Sequence, residues 1–303
     1  MAVKPLTTVA GRRRGVRARP RRRATRYHWA GWAFSAPFCL VFLIAIVAPL
    51  AYAVYLSLYQ DRLVGGNVFV GLANYAAAFS DRLFHVGLGR VALFLVVQVP
   101  IMLTLATLAA LALDSGRLRW AGVYRVGIFV PYAVPAVVAT FIWGYLYGDD
   151  FGLFGGAALS GQWILVSIGN ITTWSWTGYN MLILYSALRV VPKELYEAAE
   201  IDGAGEIRKA VSIKLPALRP ALLLCTIFSI IGSFQLFNEP NVLAALAPAQ
   251  ITTYYTPNMY AYNLAFNGQQ YNYAAAIAVV LGLVTIVVSY AVQLTAGRRE
   301  RLS

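Results

Sequence analysis

Two long apolar stretches of the sequence carry side chains that can form hydrogen bonds. Residues 163–189 include several serines and threonines together with Trp176, Tyr179 and Asn180, and residues 218–240 include further serines and amides. Hydroxyl and amide groups both donate and accept hydrogen bonds, and aromatic rings pack against C–H faces, so this uncharged pattern favours a neutral, polyhydroxylated solute. The alternative is that these side chains only hold helices together in a membrane, with tryptophan at its surface.

A polar segment at residues 192–216 separates these two apolar stretches. Its first part, Lys193–Ile201, has the composition of a short helix with a small apolar face. Two nearby glycines, the first of them Gly203, then predict a tight turn. A second helical segment is expected over residues 206–214, ended by Pro216. We interpret the segment as an interface for another protein, and the alternative is an amphipathic loop that rests on the membrane surface.

Other kinds of chemistry have no support in the sequence. No glycine-rich loop precedes a lysine in the manner of a nucleotide-binding phosphate loop. His28 and His85 are far from each other and from any cluster of carboxylates, while Cys39 and Cys225 lie within apolar stretches. These residues give neither a catalytic pair nor a metal site nor a disulfide. We therefore expect no catalytic residue, no metal site and no cofactor in this chain.

The composition is that of a membrane protein. Of the 303 residues, 59% are hydrophobic and only 12% are charged. A helix of about 20 apolar residues crosses a bilayer, and the chain has six runs of sufficient length. We predict an all-α protein with six transmembrane helices at 29–58, 88–113, 121–147, 163–189, 218–240 and 273–296.

The basic residues predict the orientation of these spans. The formal net charge is +13, and ten of the 25 lysines and arginines lie within the first 26 residues. No aromatic residue lies among them before Tyr27, so we favour a disordered arm that contacts anionic membrane lipids over a segment that binds nucleic acid. Placing both termini and the 192–216 segment in the cytoplasm puts 22 of the 25 basic residues on that side, as the positive-inside rule requires.

The spacing within the polar segment resembles a known pattern. Glu197-Ala198-Ala199, Gly203 after three further residues, and Ile213 and Leu215-Pro216 after nine more occupy every fixed position of the EAA loop. This loop is typical of the membrane subunits of ATP-binding-cassette (ABC) importers. The stretches VGLANY at 70–75 and YRVGIFVPYAVPAVV at 124–138 are similar to the sugar-specific branch, which includes the maltose and glycerol-3-phosphate permeases.

The resemblance implies a MetI-like permease fold and an assembly. The chain would form the path for a mono- or oligosaccharide beside a second homologous permease subunit in a bacterial plasma membrane. A cytoplasmic ABC ATPase dimer would bind ATP and Mg²⁺, and an extracytoplasmic sugar-binding protein would deliver solute. The expected organisation is a basic arm at 1–28, a transmembrane permease domain at 29–297 with its coupling loop at 190–217, and a cytoplasmic tail at 298–303.

The resemblance also implies site residues. In the family the EAA loop docks on the ATPase, which assigns that role to Glu197, Ala198, Ala199, Asp202, Gly203, Ile213, Leu215 and Pro216. Alignment with maltose-type permeases places Thr172, Ser175, Tyr179, Ser229 and Ser233 at sugar-contact positions. Thr172 and Ser233 replace asparagines of the maltose permease, which argues against maltose itself. Another small polar solute, such as a glycerol phosphodiester, is the alternative and would require a basic residue facing the path.

Overall fold

The computed structural model describes residues 27–62, 64–148, 152–153 and 156–300. The predicted basic arm up to residue 26 and residues 301–303 of the predicted tail lie outside the described residues. The described residues divide into two compact units, one up to residue 51 and the other from residue 52 onward.

The secondary structure is almost entirely helical. A single antiparallel hairpin joins β1 (Tyr59–Arg62) to β2 (Gly66–Phe69) within the described residues. Two π-helical turns, at Leu43–Val47 and Ala210–Lys214, and a 3-10 turn at Ala157–Leu159 interrupt the α-helices. The α-helices are α1 (Tyr27–Phe42), α2 (Ala48–Ser57), α3 (Ala73–Ser80), α4 (Arg82–Asp114), α5 (Ala121–Ala133), α6 (Ala136–Tyr147), α7 (Ile164–Leu188), α8 (Lys193–Ile201), α9 (Glu206–Lys209), α10 (Leu215–Phe234), α11 (Asn238–Leu243), α12 (Pro257–Phe266) and α13 (Tyr271–Glu300).

The first unit contains α1 and the π-helical turn that follows it. Every side chain from residue 31 to residue 51 is exposed, although the segment is strongly apolar. An exposed apolar surface of this length requires lipid or an apolar partner around it. The prediction of a membrane helix at 29–58 agrees with the apolar helical segment Gly31–Ser57.

The second unit is built around the contact between α4 and α7. Ala106 and Ala110 of α4 are fully buried, and Met181 and Leu184 of α7 pack in the same cluster. Small side chains on α4 let the two helices approach closely, which is the usual way in which membrane helices associate. Because α10 contributes Leu218 to this cluster, the three helices share one core.

Several predicted spans differ from the helices observed. Within the described residues, four segments are long and apolar enough to cross a membrane, and the bent pair α5 and α6 makes five if it counts as one span. The prediction of one continuous helix at 121–147 is wrong, because α5 and α6 meet at 96°. Val134 is extended between them, as expected for a residue that precedes a proline, here Pro135.

Two other spans also need comment. The predicted helix at 218–240 is broken, since α10 ends at Phe234 and α11 begins at Asn238. Helix α7 has 25 residues and is therefore roughly 37 Å long, enough to cross a bilayer. It is less apolar than the four segments above and does not reach their mean hydropathy. The sixth span therefore stays a prediction, while the all-α, polytopic fold class is confirmed.

The VGLANY stretch has a clear structural role. The Asn74 side-chain amide donates hydrogen bonds to the carbonyl oxygens of Ser57, at 2.8 Å, and Tyr59, at 2.7 Å. It thereby satisfies the carbonyl of the last residue of α2, which has no partner within the helix, and ties it to the first residue of β1. A nearby carboxylate, Asp81, caps α4 and also accepts hydrogen bonds from the hydroxyls of Tyr260 and Tyr273, each at 2.7 Å.

Candidate solute cavity and coupling segment

A cavity of about 460 Å³ lies among α4, α5, α6, α7, α10 and α11. Its volume is within the range of small-molecule sites. Its polar and aromatic lining consists of Phe94, Gln98, Tyr132, Thr172, Trp176, Tyr179, Asn180, Phe228, Ser229, Ser233, Gln235, Asn238 and Glu239.

Four of the five predicted solute contacts meet at this cavity. Thr172 and Tyr179 of α7 and Ser229 and Ser233 of α10 line it, whereas Ser175 is not among the lining residues. The prediction that α7 and α10 present polar groups to a common space therefore agrees with the structure at four positions.

The serine and threonine hydroxyls in the cavity are not free donors. Ser229 donates to the carbonyl of Cys225 and Ser233 to that of Ser229, both at 2.8 Å. Thr172 likewise donates to the carbonyl of Ile168, at 3.1 Å. Since each proton is used within the helix, the oxygen lone pairs of these groups remain to accept hydrogen bonds. The predicted hydroxyls therefore suit a solute that brings its own O–H donors.

Three aromatic rings form one wall. The rings of Tyr132 and Tyr179 are stacked with centroids 4.7 Å apart, and Trp176 packs edge-on against both, at 5.2 Å and 5.8 Å. One face of Tyr179 is thus already covered by a ring from α5. The tyrosine and tryptophan rings offered to a solute therefore form one packed group from α5 and α7.

Sequence reasoning missed several lining residues because it considered two spans only. Gln98 of α4 donates to Thr173 Oγ1 at 3.2 Å, and Tyr132 lines the cavity from α5. An isolated amide in an apolar run is a signal that would have pointed to Gln98. The expectation of a route without charged groups is wrong at one position, since Glu239 lines the cavity.

The coupling segment begins as predicted. Helix α8 spans Lys193–Ile201, and the chain then turns at Gly203, whose φ is +75°. The N–H of Gly203 bonds to the carbonyl of Glu200 at 3.0 Å, and the N–H of Ala204 bonds to that of Ala199 at 2.8 Å. This pair of bonds is the Schellman motif, which needs a residue in the left-handed conformation and therefore favours glycine. The fixed glycine of the EAA pattern is thus explained by the end of α8.

The eight residues predicted to dock on the ATPase divide into two groups. Glu197, Ala198, Asp202 and Gly203 are exposed. The other four are partly buried against the rest of the chain: Ala199, Ile213, Leu215 and Pro216. The first group is available to a partner, while the second positions the segment.

The second half of the segment differs from the prediction. Helix α9 is followed by the π-helical turn and then directly by α10, so the expectation that Pro216 ends a helix is wrong. Pro216 lies in the first turn of α10. Proline removes one N–H from the hydrogen bonding of a helix, and the adjacent π-helical turn already departs from α-helical bonding at this place.

An ion cluster joins α8 to α9 within the coupling segment. Lys209 Nζ lies 2.7 Å from Glu200 of α8 and 2.7 Å from Glu206 of α9. The Lys209 side chain is only 8% exposed. The two helices of the segment are therefore held together by a nearly buried cation between two carboxylates.

The comparison with protein families gives the class of the chain. The family described as the binding-protein-dependent transport system inner membrane component matches residues 102–301. The chain belongs to this family of ABC importer permeases. It is a multi-pass membrane transport component and not an enzyme, as the sequence predicted.

Curated relatives cover most of the chain. The lactose transport system permease protein LacF of Rhizobium radiobacter is 32% identical over 290 residues, which cover 91% of this chain and 96% of that protein. The diacetylchitobiose uptake system permease protein NgcF of Streptomyces coelicolor is 31% identical, with coverage of 93% and 88%. The arabinooligosaccharides transport system permease protein AraP of Bacillus subtilis is also 31% identical, with coverage of 86% of each chain.

A solved structure shows the same fold. A chain of a bacterial ABC transporter involved in the import of the acidic polysaccharide alginate superimposes with a TM-score of 0.78 at 16% identity, covering 90% of this chain and 96% of that chain. The resemblance to an ABC importer permease fold is therefore confirmed.

Proposed function

We propose that this chain forms the translocation path for a neutral mono- or oligosaccharide in an ABC importer. The carrying observation is the cavity, in which hydroxyl oxygens on α7 and α10 remain free to accept hydrogen bonds beside the rings of Tyr132, Trp176 and Tyr179. A sugar supplies O–H donors for the former and C–H faces for the latter. The names of the relatives, which transport lactose, diacetylchitobiose and arabinooligosaccharides, support the same solute class.

The charge of the cavity argues against an anionic solute. A glycerol phosphodiester would require a basic group near its phosphate. Among the described residues that line the cavity there is no lysine or arginine, and Glu239 is present. Glu239 carries no positive charge that could stabilise a phosphate, and its oxygens can accept hydrogen bonds from sugar hydroxyls, so it suits the neutral solute.

The experiment is uptake by the purified assembly in proteoliposomes. The tagged chain is isolated with its partners, ATP is enclosed, and the binding protein is added outside. We expect ATP-dependent uptake of at least one neutral sugar from a panel of lactose, maltose, diacetylchitobiose and arabinooligosaccharides, with no competition by amino acids or by glycerophosphodiesters. Transport of a phosphodiester, or of amino acids in place of any sugar, would refute the assignment.

A separate ATPase dimer, which binds ATP and Mg²⁺, docks on α8 in this proposal. Its support is the exposure of Glu197 and Asp202 beside Ile201, which is 88% exposed. A polar and apolar surface of this kind at the tip of a helical turn suits a groove in another protein. The full assembly also includes a second homologous permease subunit and an extracytoplasmic sugar-binding protein.

The orientation places both termini and α8 in the cytoplasm of a bacterial cell. Asn267 lies between the predicted fifth and sixth spans, on the outer side in this orientation, and both Asn267 and Arg208 are exposed. With Cys39 and Cys225 replaced, Asn267→Cys should react with an impermeant thiol reagent on intact cells and Arg208→Cys only after lysis. The opposite pattern would invert the topology.

A further inference from the structure

A buried ion pair joins the end of α4 to the end of the coupling segment, where α10 begins. Lys214 Nζ lies 2.7 Å from Asp114 Oδ2, and the two side chains are only 7% and 8% exposed. Asp114 is the last residue of α4, while Lys214 immediately precedes α10. The contact thus connects positions one hundred residues apart in the sequence.

The aromatic ring of Tyr196 completes the cluster from α8. Lys214 Nζ lies 5.3 Å from the centre of that ring, within the range of a cation–π interaction. The buried hydroxyl of Tyr196 has no hydrogen-bond partner in the part of the chain that the structure describes. Burial, together with the negative charge of Asp114, raises the pKa of Tyr196. One lysine therefore contacts groups from α4 and α8 at the start of α10.

Stability alone does not account for this cluster. A carboxylate at the end of a helix faces the negative end of the helix dipole, so Asp114 is unfavourable for α4 unless a cation compensates it. Moving both charges out of water is costly, and an apolar pair of similar size is often as stable. The arrangement instead fixes one definite geometry between three helices.

Two of the helices held by the cluster, α4 and α10, line the cavity. Along α4, Met102 lies twelve residues before Asp114, or roughly 18 Å at the rise of an α-helix. Along α10, Ser229 lies fifteen residues after Lys214, or roughly 22 Å. A displacement of α8 that carries Lys214 and Asp114 with it is transmitted through these two helices to both sides of the cavity.

We propose that Asp114, Lys214 and Tyr196 form the joint that passes the movement of α8 to α4 and α10, so that ATP hydrolysis is coupled to opening of the cavity. This inference rests on the proposed docking of the ATPase on α8. The three are positioning residues, since they act through the helices and touch neither ATP nor solute.

The test separates coupling from assembly. Asp114→Asn combined with Lys214→Met removes both charges and leaves no unpaired one, so the variant should assemble with the ATPase as the wild type does. We expect it to hydrolyse ATP while importing at least about fivefold less solute per ATP. A fivefold change corresponds to the lower end of the usual range of coupling free energies between two sites. Uptake of the transported sugar and phosphate release are measured in the same proteoliposomes.

Three further variants sharpen the test, and two of them, Tyr196→Phe and Lys209→Met, are matched controls. Tyr196→Phe keeps the ring over Lys214 and should retain wild-type coupling, whereas Tyr196→Leu should lose it. Lys209→Met removes the other nearly buried lysine of the segment but leaves the link to α4, so its import per ATP, measured per bound ATPase, should match the wild type.

The contradicting results are distinct from a failure of the proposed function. If the double variant imports as much solute per ATP as the wild type, or fails to assemble with the ATPase, the joint is only structural and the inference is refuted. Gly203→Asp reports on the docking itself. If that variant retains the bound ATPase, the docking of α8 is refuted first, and the joint with it.

Discussion

The close approach of α5 to α7 makes Gly178 a position where a single methyl group should be poorly tolerated. A Cβ atom built on Gly178 would lie 2.0 Å from the carbonyl oxygen of Ile128 and 2.8 Å from the Cα atom of Phe129. Both are backbone atoms, so no side-chain rotation can relieve the contact. Ordinary contact begins at 3.4 Å, which requires the two helices to separate locally by about 1.4 Å.

The separation would also disturb the cavity. Tyr132 lies one turn beyond Ile128 on α5 and stacks on Tyr179, the residue next to Gly178. Overpacking typically costs about 1–3 kcal/mol, and we expect Gly178→Ala to reach the upper end because backbone must move. The variant should unfold at a lower temperature in detergent and should transport sugar more slowly.

Two glycines provide controls for this prediction. Gly169 is on the same helix, and a Cβ atom there would come no closer than 3.7 Å to Gln98, while Gly127 on α5 has open space. Alanine at either position should change stability little, because alanine favours a helix over glycine. The reasoning is refuted if Gly178→Ala has the same unfolding midpoint and uptake as these two variants.

The other predictions concern three separate parts of the molecule. Gly203→Asp should keep the protein in the membrane but reduce co-purification of the ATPase, because φ is +75° at the end of α8; wild-type yield of bound ATPase would contradict this. Burial tends to raise the pKa of Asp81, but hydrogen bonds from two tyrosines and two backbone N–H groups lower it overall. The resulting stabilisation is present above the unfolded pKa of about 4 and is lost as the pH falls through the lower folded value. Asp81→Asn can still cap α4, so the change mainly weakens the tyrosine hydrogen bonds and should lower the free energy of unfolding by about 1–3 kcal/mol at neutral pH. The unfolding midpoint should also become less sensitive to acid than in the wild type. Parallel pH profiles of the two proteins would argue against the network. Loss of one hydrogen bond weakens binding by roughly 2- to 13-fold, and Tyr179→Ala should reduce uptake near the half-saturating sugar concentration by more than this, because a ring is lost as well. Ser175→Ala should leave uptake unchanged. Equal effects of the two variants would show that the cavity is not the solute path.

The sequence determined the features that depend on neighbouring residues. Apolar runs of sufficient length predict helices wherever they occur, since a bilayer-spanning backbone must satisfy its own hydrogen bonds. The composition of Lys193–Ile201 and the glycine at 203 predicted α8 and its end, because a Schellman motif involves only a few consecutive residues. The spacing of the EAA pattern predicted the family for the same reason.

Tertiary structure decided which faces of these helices meet. At 100° per residue, positions 172, 176, 179 and 180 form one stripe of α7, and Ser175 lies beside it. Sequence periodicity gives the stripes of a helix but not its rotation against α4, α5 and α10, which depends on packing between distant segments. Tyr132, Gln98 and Glu239 joined the cavity in this way.

The same reason applies to the cluster of Asp114, Lys214 and Tyr196. In the sequence, Asp114 is an acid at the end of an apolar run, and Lys214 is one cation among several in a basic segment. Their pairing at 2.7 Å exists because the end of α4 and the start of α10 meet when both pack on α7. Local patterns fixed the elements and the class of the protein, while the pairing of charges across one hundred residues required the folded chain.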